Sequence, residues 1–548
     1  MNVWQKLPLM VLVVGLVWFS SGEVARSQAE SDTSGPELIA LMDNLGDHSM
    51  KVTTADPLAQ KYFDQGLRLM YGFNHAEAIR AFHAAASVDP KCAMAFWGVA
   101  LALGPNYNAP MEREAAVEAF AALKQAEKLA AGATPKEQAY IAALSKRYTY
   151  PPPEDRKPLD EAYAVAMGKL AERYPDDVDA ATLYAEAMMD LRPWELWTVD
   201  GKPEPGTETI LATLEGVLAA APNHPGANHY YIHAVESAQP EKGLPSARRL
   251  ATIAPGAGHL VHMPAHIYFR VGRYEDASNA NKAAAKADEQ YMAKFKPEGI
   301  YPMMYYPHNV HFLWASAAME GKSEEAIAAA TKVGKIVPQK MAKQMPMLEA
   351  FTPTRLFALT RFHKWDEILN EPAPDPELTY ATGMWHYARG MAYAAKGELS
   401  KAEEEARQLH QITLATPHER MVMQHHADDL LNIAVDHLQA TLMARTRQDA
   451  AAEEKLRDAV SRQDALRYDE PPPWYLPMRQ PLGAFLLAKG RPAEAEQAYR
   501  EDLKKYPHNG WALHGLEKSL RAQNKNDEAD AVHARFQKAW PNADTKPH

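Results

Sequence analysis

Histidine is the residue type in this chain whose spacing points most directly to chemistry. His229 and His233 stand four apart, with Glu236 three further on, a spacing that puts all three on one face of a helix. The pattern returns in His259, His262 and His266, and again in His308 and His311. His229 and His262 are 33 positions apart, as are His233 and His266. Residues 224–311 hold eight of the 22 histidines, a concentration that calls for a cause. Neutral imidazole is the commonest transition-metal ligand, and a pair one helical turn apart offers two nitrogens to one ion. Two such pairs on neighbouring helices would give a site of three or four nitrogens suited to copper or zinc. Glu236 is then a candidate ligand, an orienter of a ligand, or a general base, and the one catalytic candidate. Two other readings stay open: contact with a small-molecule or peptide ligand without metal, and histidines that only pack.

Other residues could border such a site. Tyr301, Tyr305, Tyr306 and Trp314 surround His308 and His311; of these, Tyr305, Tyr306 and Trp314 are candidate ligand contacts, rings with an apolar body and a polar tip. His418, Glu419, His425, His426, Asp428 and Asp429 form a second polar group. On a helix His425 and His426 would point about 100° apart, which favours a solvated face. Trp385, His386, Trp474, Tyr475 and Arg479 are candidates to close a groove from the C-terminal side. Cys92 is the single cysteine, so no internal disulfide, Cys-rich zinc site or thiolate-held cluster can form; a buried place at a helix start is expected for it. The HExxH, GxSxG, P-loop and GxGxxG patterns do not occur, which leaves no common hydrolase or nucleotide-site signature.

The elements that must position these residues are helices. Ala, Leu, Glu and Lys dominate long stretches of the 548 residues, and alternating β-branched runs are scarce. The segment YFDQGLRLMYGFNHAEAIRAFHAAASVDP places Gly66 in one helix, Ala78, Phe82 and Ala85 in the next, and Pro90 at its end. Further copies carry Gly272 with Ala277, Gly321 with Ala326, Gly397 with Ala402, and Gly490 with Ala495, Tyr499 and Pro507. This spacing resembles the tetratricopeptide repeat superfamily over most of residues 57–540. The runs YGFNHAEAIRAFHAAASVDPKCAMAFWGVALALGPNYN, HMPAHIYFRVGRYEDA and YYPHNVHFLW also resemble a group of secreted bacterial tetratricopeptide proteins without an established activity.

The resemblance implies an α-solenoid curled into a compact superhelix, with the first helix of each hairpin lining a concave groove. It further implies that positions two, five, nine and twelve of that helix face the groove when the turn glycine is fifteenth. Counted back from Gly272, His259, His262 and His266 take positions two, five and nine; counted back from Gly321, His308 and His311 take positions two and five. His229 and His233 join them through the repeat period alone. The superfamily's commonest role, a protein-interaction scaffold, is the alternative in which the histidines do not converge.

Proline runs at 150–158, 371–376 and 470–477 cannot be helical and read as breaks between blocks. The blocks expected are 57–150, 159–370 and 375–548, after a flexible segment at 30–56. A net charge of −11 gives no general affinity for nucleic acid. Lys6, the apolar run LPLMVLVVGLVWF and Ser27-Gln28-Ala29 read as a cleavable export signal over 1–29, hence a periplasmic or secreted protein. An uncleaved anchor is the other reading of that run, and no later stretch is apolar enough to span a membrane.

Overall fold

The computed structural model describes residues 39–297 and 299–547. The expected signal, its cleavage boundary and residues 30–38 lie outside the described residues. Residues 39–56 carry no helix but are bonded along the first hairpin: Met42 N donates to Gln65 Oε1 at 2.7 Å and Ser49 Oγ to Asp64 at 2.9 Å.

The described residues form an essentially all-α array of antiparallel helical hairpins. Pro57–Tyr71 starts where Asp56 accepts the Leu58 N–H and Pro57 supplies a fixed φ, and it pairs with His75–Val88 and then Ala93–Ala102. Phe82 is the wedge between them. A methyl at Gly66 would fall 2.7 Å from its ring and one at Gly98 2.4 Å, so only glycine lets the backbones close on the aromatic. Gly483 and Gly515 enclose Tyr499 in the same way near the C-terminus. Cys92 is buried and precedes the Ala93–Ala102 helix as its cap residue.

The histidines sit on consecutive hairpins: Pro225–Val235, the near-continuous pair Gly258–His262 and Pro264–Arg270, and Tyr306–Met319. Pro264 has no N–H to give the preceding turn, which is why the middle one divides. Gly272 and Gly321 end these hairpins' first helices with φ of +76° and +71°. Two large apolar clusters form the interior, and Tyr306–Met319 contributes to both: Phe312 and Met319 to one, Trp314 and Ala317 to the other.

The proline runs at 371–376 and 470–477 are non-helical. Two local expectations are overturned. The proline run at 150–158 ends inside the helix Lys157–Arg173, with Pro158 in its first turn, where a missing N–H costs nothing. Residues 421–426 form a short antiparallel hairpin, Met421–Val422 against His425–His426, and not a helical face. Met423 turns it with φ of +53°, a conformation that side-chain type does not announce. No helix among the described residues is long and apolar enough to cross a membrane.

The C-terminal hairpin returns to the middle of the chain. Trp540 covers Gly321 and its indole N–H donates to Met319 O at 2.8 Å. Trp511 donates to Ala318 O at 2.9 Å, and Asp544 accepts the Ser323 backbone N–H at 2.6 Å.

Candidate metal centre

Six of the seven histidines come together as two adjoining groups of three. His229, His233 and His259 form one, His262, His266 and His308 the other, with ligand nitrogens in each group all within 4.8 Å. The groups adjoin through His233 and His266, whose ring centres are 5.6 Å apart, and through His259 and His262, at 5.9 Å. All but His308 are fully buried.

The outward nitrogens are held by acceptors, and this fixes the protons. His229 Nδ1 meets the Tyr71 carbonyl at 2.7 Å. His233 Nδ1 and His266 Nδ1 meet the two oxygens of Glu236, at 3.0 and 2.6 Å. His262 Nδ1 meets Asn281 Oδ1 at 2.6 Å; the Asn281 amide nitrogen is engaged by Ala277 O at 2.9 Å, so its oxygen faces the ring. A ring nitrogen facing a carbonyl or carboxylate must donate, so in the neutral state all four imidazoles carry hydrogen on Nδ1 and a lone pair on Nε2. Those Nε2 atoms point inward. His262 Nε2 and His266 Nε2 lie 2.8 Å apart, and His308 Nε2 is 3.0 Å from His262 Nε2. His229 Nε2 is 3.1 Å from His259 Nε2, and His233 Nε2 is buried without a partner.

Burial dominates the titration of this cluster. It drives His229, His259, His262 and His308 well below the ordinary histidine value, helped in each case by neighbouring imidazoles. His233 is also lowered by burial, against the pull of Glu236. His266 behaves otherwise: burial opposes its charge, but Glu236 outweighs it and the value is raised. Burial would raise Glu236, yet His266 and His233 bring it down to about 2. Glu236 stands with one oxygen on each group, where it can orient two imidazoles, and with His233 and His266 it also forms a ligand-capable group of its own. Sequence spacing placed it near the histidines but carried no sign that it joins two sets; Tyr71 O and Asn281 were not visible at all.

His311 does not join the cluster. Its ring packs edge-on to Phe351 at 5.3 Å and near Trp314 at 6.5 Å, one helical turn along from His308. Burial lowers it to about 4. Tyr305 does border the cluster, edge-on to His259 at 4.7 Å. Tyr306 points away, its hydroxyl on Glu289 at 2.9 Å. Tyr301 is a support: its hydroxyl accepts the His259 backbone N–H at 3.1 Å and donates to Asp288 at 2.9 Å.

A cleft of about 930 Å³, measured to its open mouth, runs from His308 past His311 and Trp314 to the 469–477 segment. Trp474 and Tyr475 line it, as the groove-closing expectation had them. Arg479 does not; it forks onto Asp464 at 2.7 and 2.6 Å. Trp385 and His386 are engaged by Glu371 O and Glu405. His418 and His426 stack with centres 3.9 Å apart, beside Asp428. His48, Asp179 and His224 make a further polar triad. There His224 Nδ1 accepts the Ala227 N–H, which leaves Nε2–H to donate to Asp179 at 3.2 Å. That group is satisfied by hydrogen bonds as it stands.

No family model matches the chain, and no curated protein matches it. Similar solved structures include a human IFIT1 dimer with m7Gppp-AAAA, at 12% identity over 89% of this chain and 91% of that one, TM-score 0.35. The APC/C hetero-tetramer Cut9–Hcn1 is similar at 13% identity over 88% of this chain and 76% of that one, TM-score 0.32.

Proposed function

We propose that this is an exported binding protein whose two histidine groups hold a pair of transition-metal ions, three imidazoles to each. Helical-hairpin arrays are binding scaffolds by architecture, and here the bound species is the metal. The observation that carries the reading is the approach of His262 Nε2 to His266 Nε2. Two lone pairs 2.8 Å apart repel unless a proton on the raised His266 or a metal ion lies between them, and a metal ion would also serve His308, His229, His233 and His259. The Nδ1 partners are the arrangement expected around ligating imidazoles, where an acceptor on the far nitrogen sets the tautomer and raises basicity. An all-nitrogen set without thiolate or carboxylate suits copper first and zinc second.

Elemental analysis of the mature protein after copper- or zinc-supplemented expression tests this. Two equivalents per chain are expected, falling to one or fewer in His266→Ala. Metal-free wild-type protein after supplementation would overturn it. Export rests on Lys6 and the apolar run after it. Recovery from the extracytoplasmic fraction with Glu30 as first residue checks that part.

A catalytic centre is the second reading. It is favoured by one observation: the cleft reaches His308, so a small molecule could arrive at the centre's edge. Three protein nitrogens per ion also leave a coordination position for it.

A further inference from the structure

The cleft beside His308 has walls of aromatic rings and a few polar groups that the protein itself does not satisfy. Phe357 stacks on Tyr475 with ring centres 4.7 Å apart and planes 9° from parallel. Trp314 and Phe351 line the same cleft. Trp314 is 3% exposed and its indole N–H has no acceptor. Glu470 is also 3% exposed; Tyr468 donates to its Oε1 at 2.8 Å, while Oε2 has no donor.

A buried donor and a buried acceptor without partners each carry a desolvation cost unless a ligand meets them. Both line one cleft, and that cleft ends on a ligand of the metal centre. The occupant must therefore be flat and apolar in body, with a group able to donate to a carboxylate and another able to accept from an indole. Hydroxyl groups on an aromatic ring do both. Arg270 lies 4.0 Å from Glu470 Oε1, on the Oε1 side and not at the open oxygen. Burial raises the Glu470 carboxyl to about 7 against the pull of Arg270 and His266, so near neutrality it is a strong acceptor at the edge of losing its charge.

We propose that the cleft binds a hydroxylated aromatic molecule of the phenol or catechol class, its ring between the aromatic walls. A hydroxyl donates to Glu470 Oε2, a hydroxyl oxygen accepts from Trp314 Nε1, and the ring lies in the cleft that His308 also lines. The inference rests on the metal-centre reading for what stands at the cleft's inner end, and goes beyond it in naming the ligand.

Isothermal titration of 4-methylcatechol into the full protein, metal-free and copper-loaded, tests the inference, with toluene as the hydroxyl-free control. Saturable one-to-one binding to the metal-free protein is expected, at least tenfold tighter than toluene. Trp314→Phe keeps the ring and removes the N–H; Glu470→Gln keeps the shape and removes the charge. Each is expected to weaken 4-methylcatechol about tenfold and leave toluene unchanged. Equal binding of the two probes, no saturable binding, or wild-type affinity in both variants would overturn the proposal. Copper measured on the copper-loaded sample separates the two readings: two equivalents retained without 4-methylcatechol binding sinks the ligand alone, and 4-methylcatechol binding with no copper retained after loading sinks the metal alone.

Discussion

Glu236 joins His233 to His266: one carboxylate oxygen stands 3.0 Å from the first Nδ1 and the other 2.6 Å from the second. The two imidazoles belong to different groups of three, so a single side chain sets the tautomer and tilt of a ligand in each. Glu236→Gln keeps the volume but leaves only one acceptor oxygen, so one ring loses its partner. Metal affinity is expected to fall 10- to 100-fold at one or both positions, in competition titrations against a chelator of known strength.

The same pair shapes the stability of the metal-free protein against pH. Glu236 is held at about 2 by its two imidazoles, below its unfolded value of about 4.3. Its contribution is present above that unfolded value and is lost as pH falls through about 2. His266 is raised, so its contribution is complete below about 6.5 and is lost as pH rises through the folded value. The five lowered imidazoles, His229, His233, His259, His262 and His308, take up protons on unfolding below about pH 6.5. Urea midpoints measured from pH 2 to 8 are therefore expected to fall steadily below that pH, with the Glu236 and His266 contributions superimposed. Glu236→Gln should remove both of those contributions, and an unchanged profile would count against the pairing.

Metal binding should release a proton. His266 is the one member of the six whose value is raised, and its Nε2 must be free of hydrogen to coordinate. At pH 6 in weak buffer, adding copper to metal-free protein is expected to release close to one proton per chain, read by an indicator dye. His266→Ala should remove that release.

Metal should also stabilise the fold. An ion bound only by the native state stabilises by about 4 kcal/mol at a thousandfold excess over its dissociation constant. Calorimetry should show a higher Tm with copper or zinc and return to the metal-free value with chelator. His311→Ala, away from the six nitrogens, should keep the full metal-induced shift.

Phe82 offers a contrast far from the centre. It fills the space between Gly66 and Gly98 and is fully buried. Phe82→Ala is expected to cost about 3–5 kcal/mol by denaturant titration, with metal stoichiometry unchanged.

The hairpin array was legible because its signals are local: a glycine that must turn and an aromatic that needs small neighbours. His259, His262, His266 and His308 were placed inward by turn glycines that hold the required left-handed φ. The limit of that phasing appears at His311. Three residues along a helix is a turn of about 60° from the starting direction and a rise of about 4.5 Å. That offset leaves His308 Nε2 within 3.0 Å of His262 Nε2, while His311 ends against Phe351 and Trp314. Repeat phase says which surface of the hairpin is inner; it does not say which neighbours a side chain on that surface will meet. Tyr306 was misassigned as a ligand contact for the same reason. Glu470 escaped because its relation to the centre arises only when the C-terminal block packs across the middle, a contact without a local sign.

That packing has a consequence for how the molecule comes apart. In an open array each hairpin leans only on its neighbours, and the ends fray while the centre holds. Here Trp540 and Asp544 are fastened to Gly321, Met319 and Ser323, more than 200 positions earlier. Unpeeling the tail would uncover the helix that carries His308. Losing the last few residues should therefore be felt in the middle of the protein first, as though the chain had been cut there.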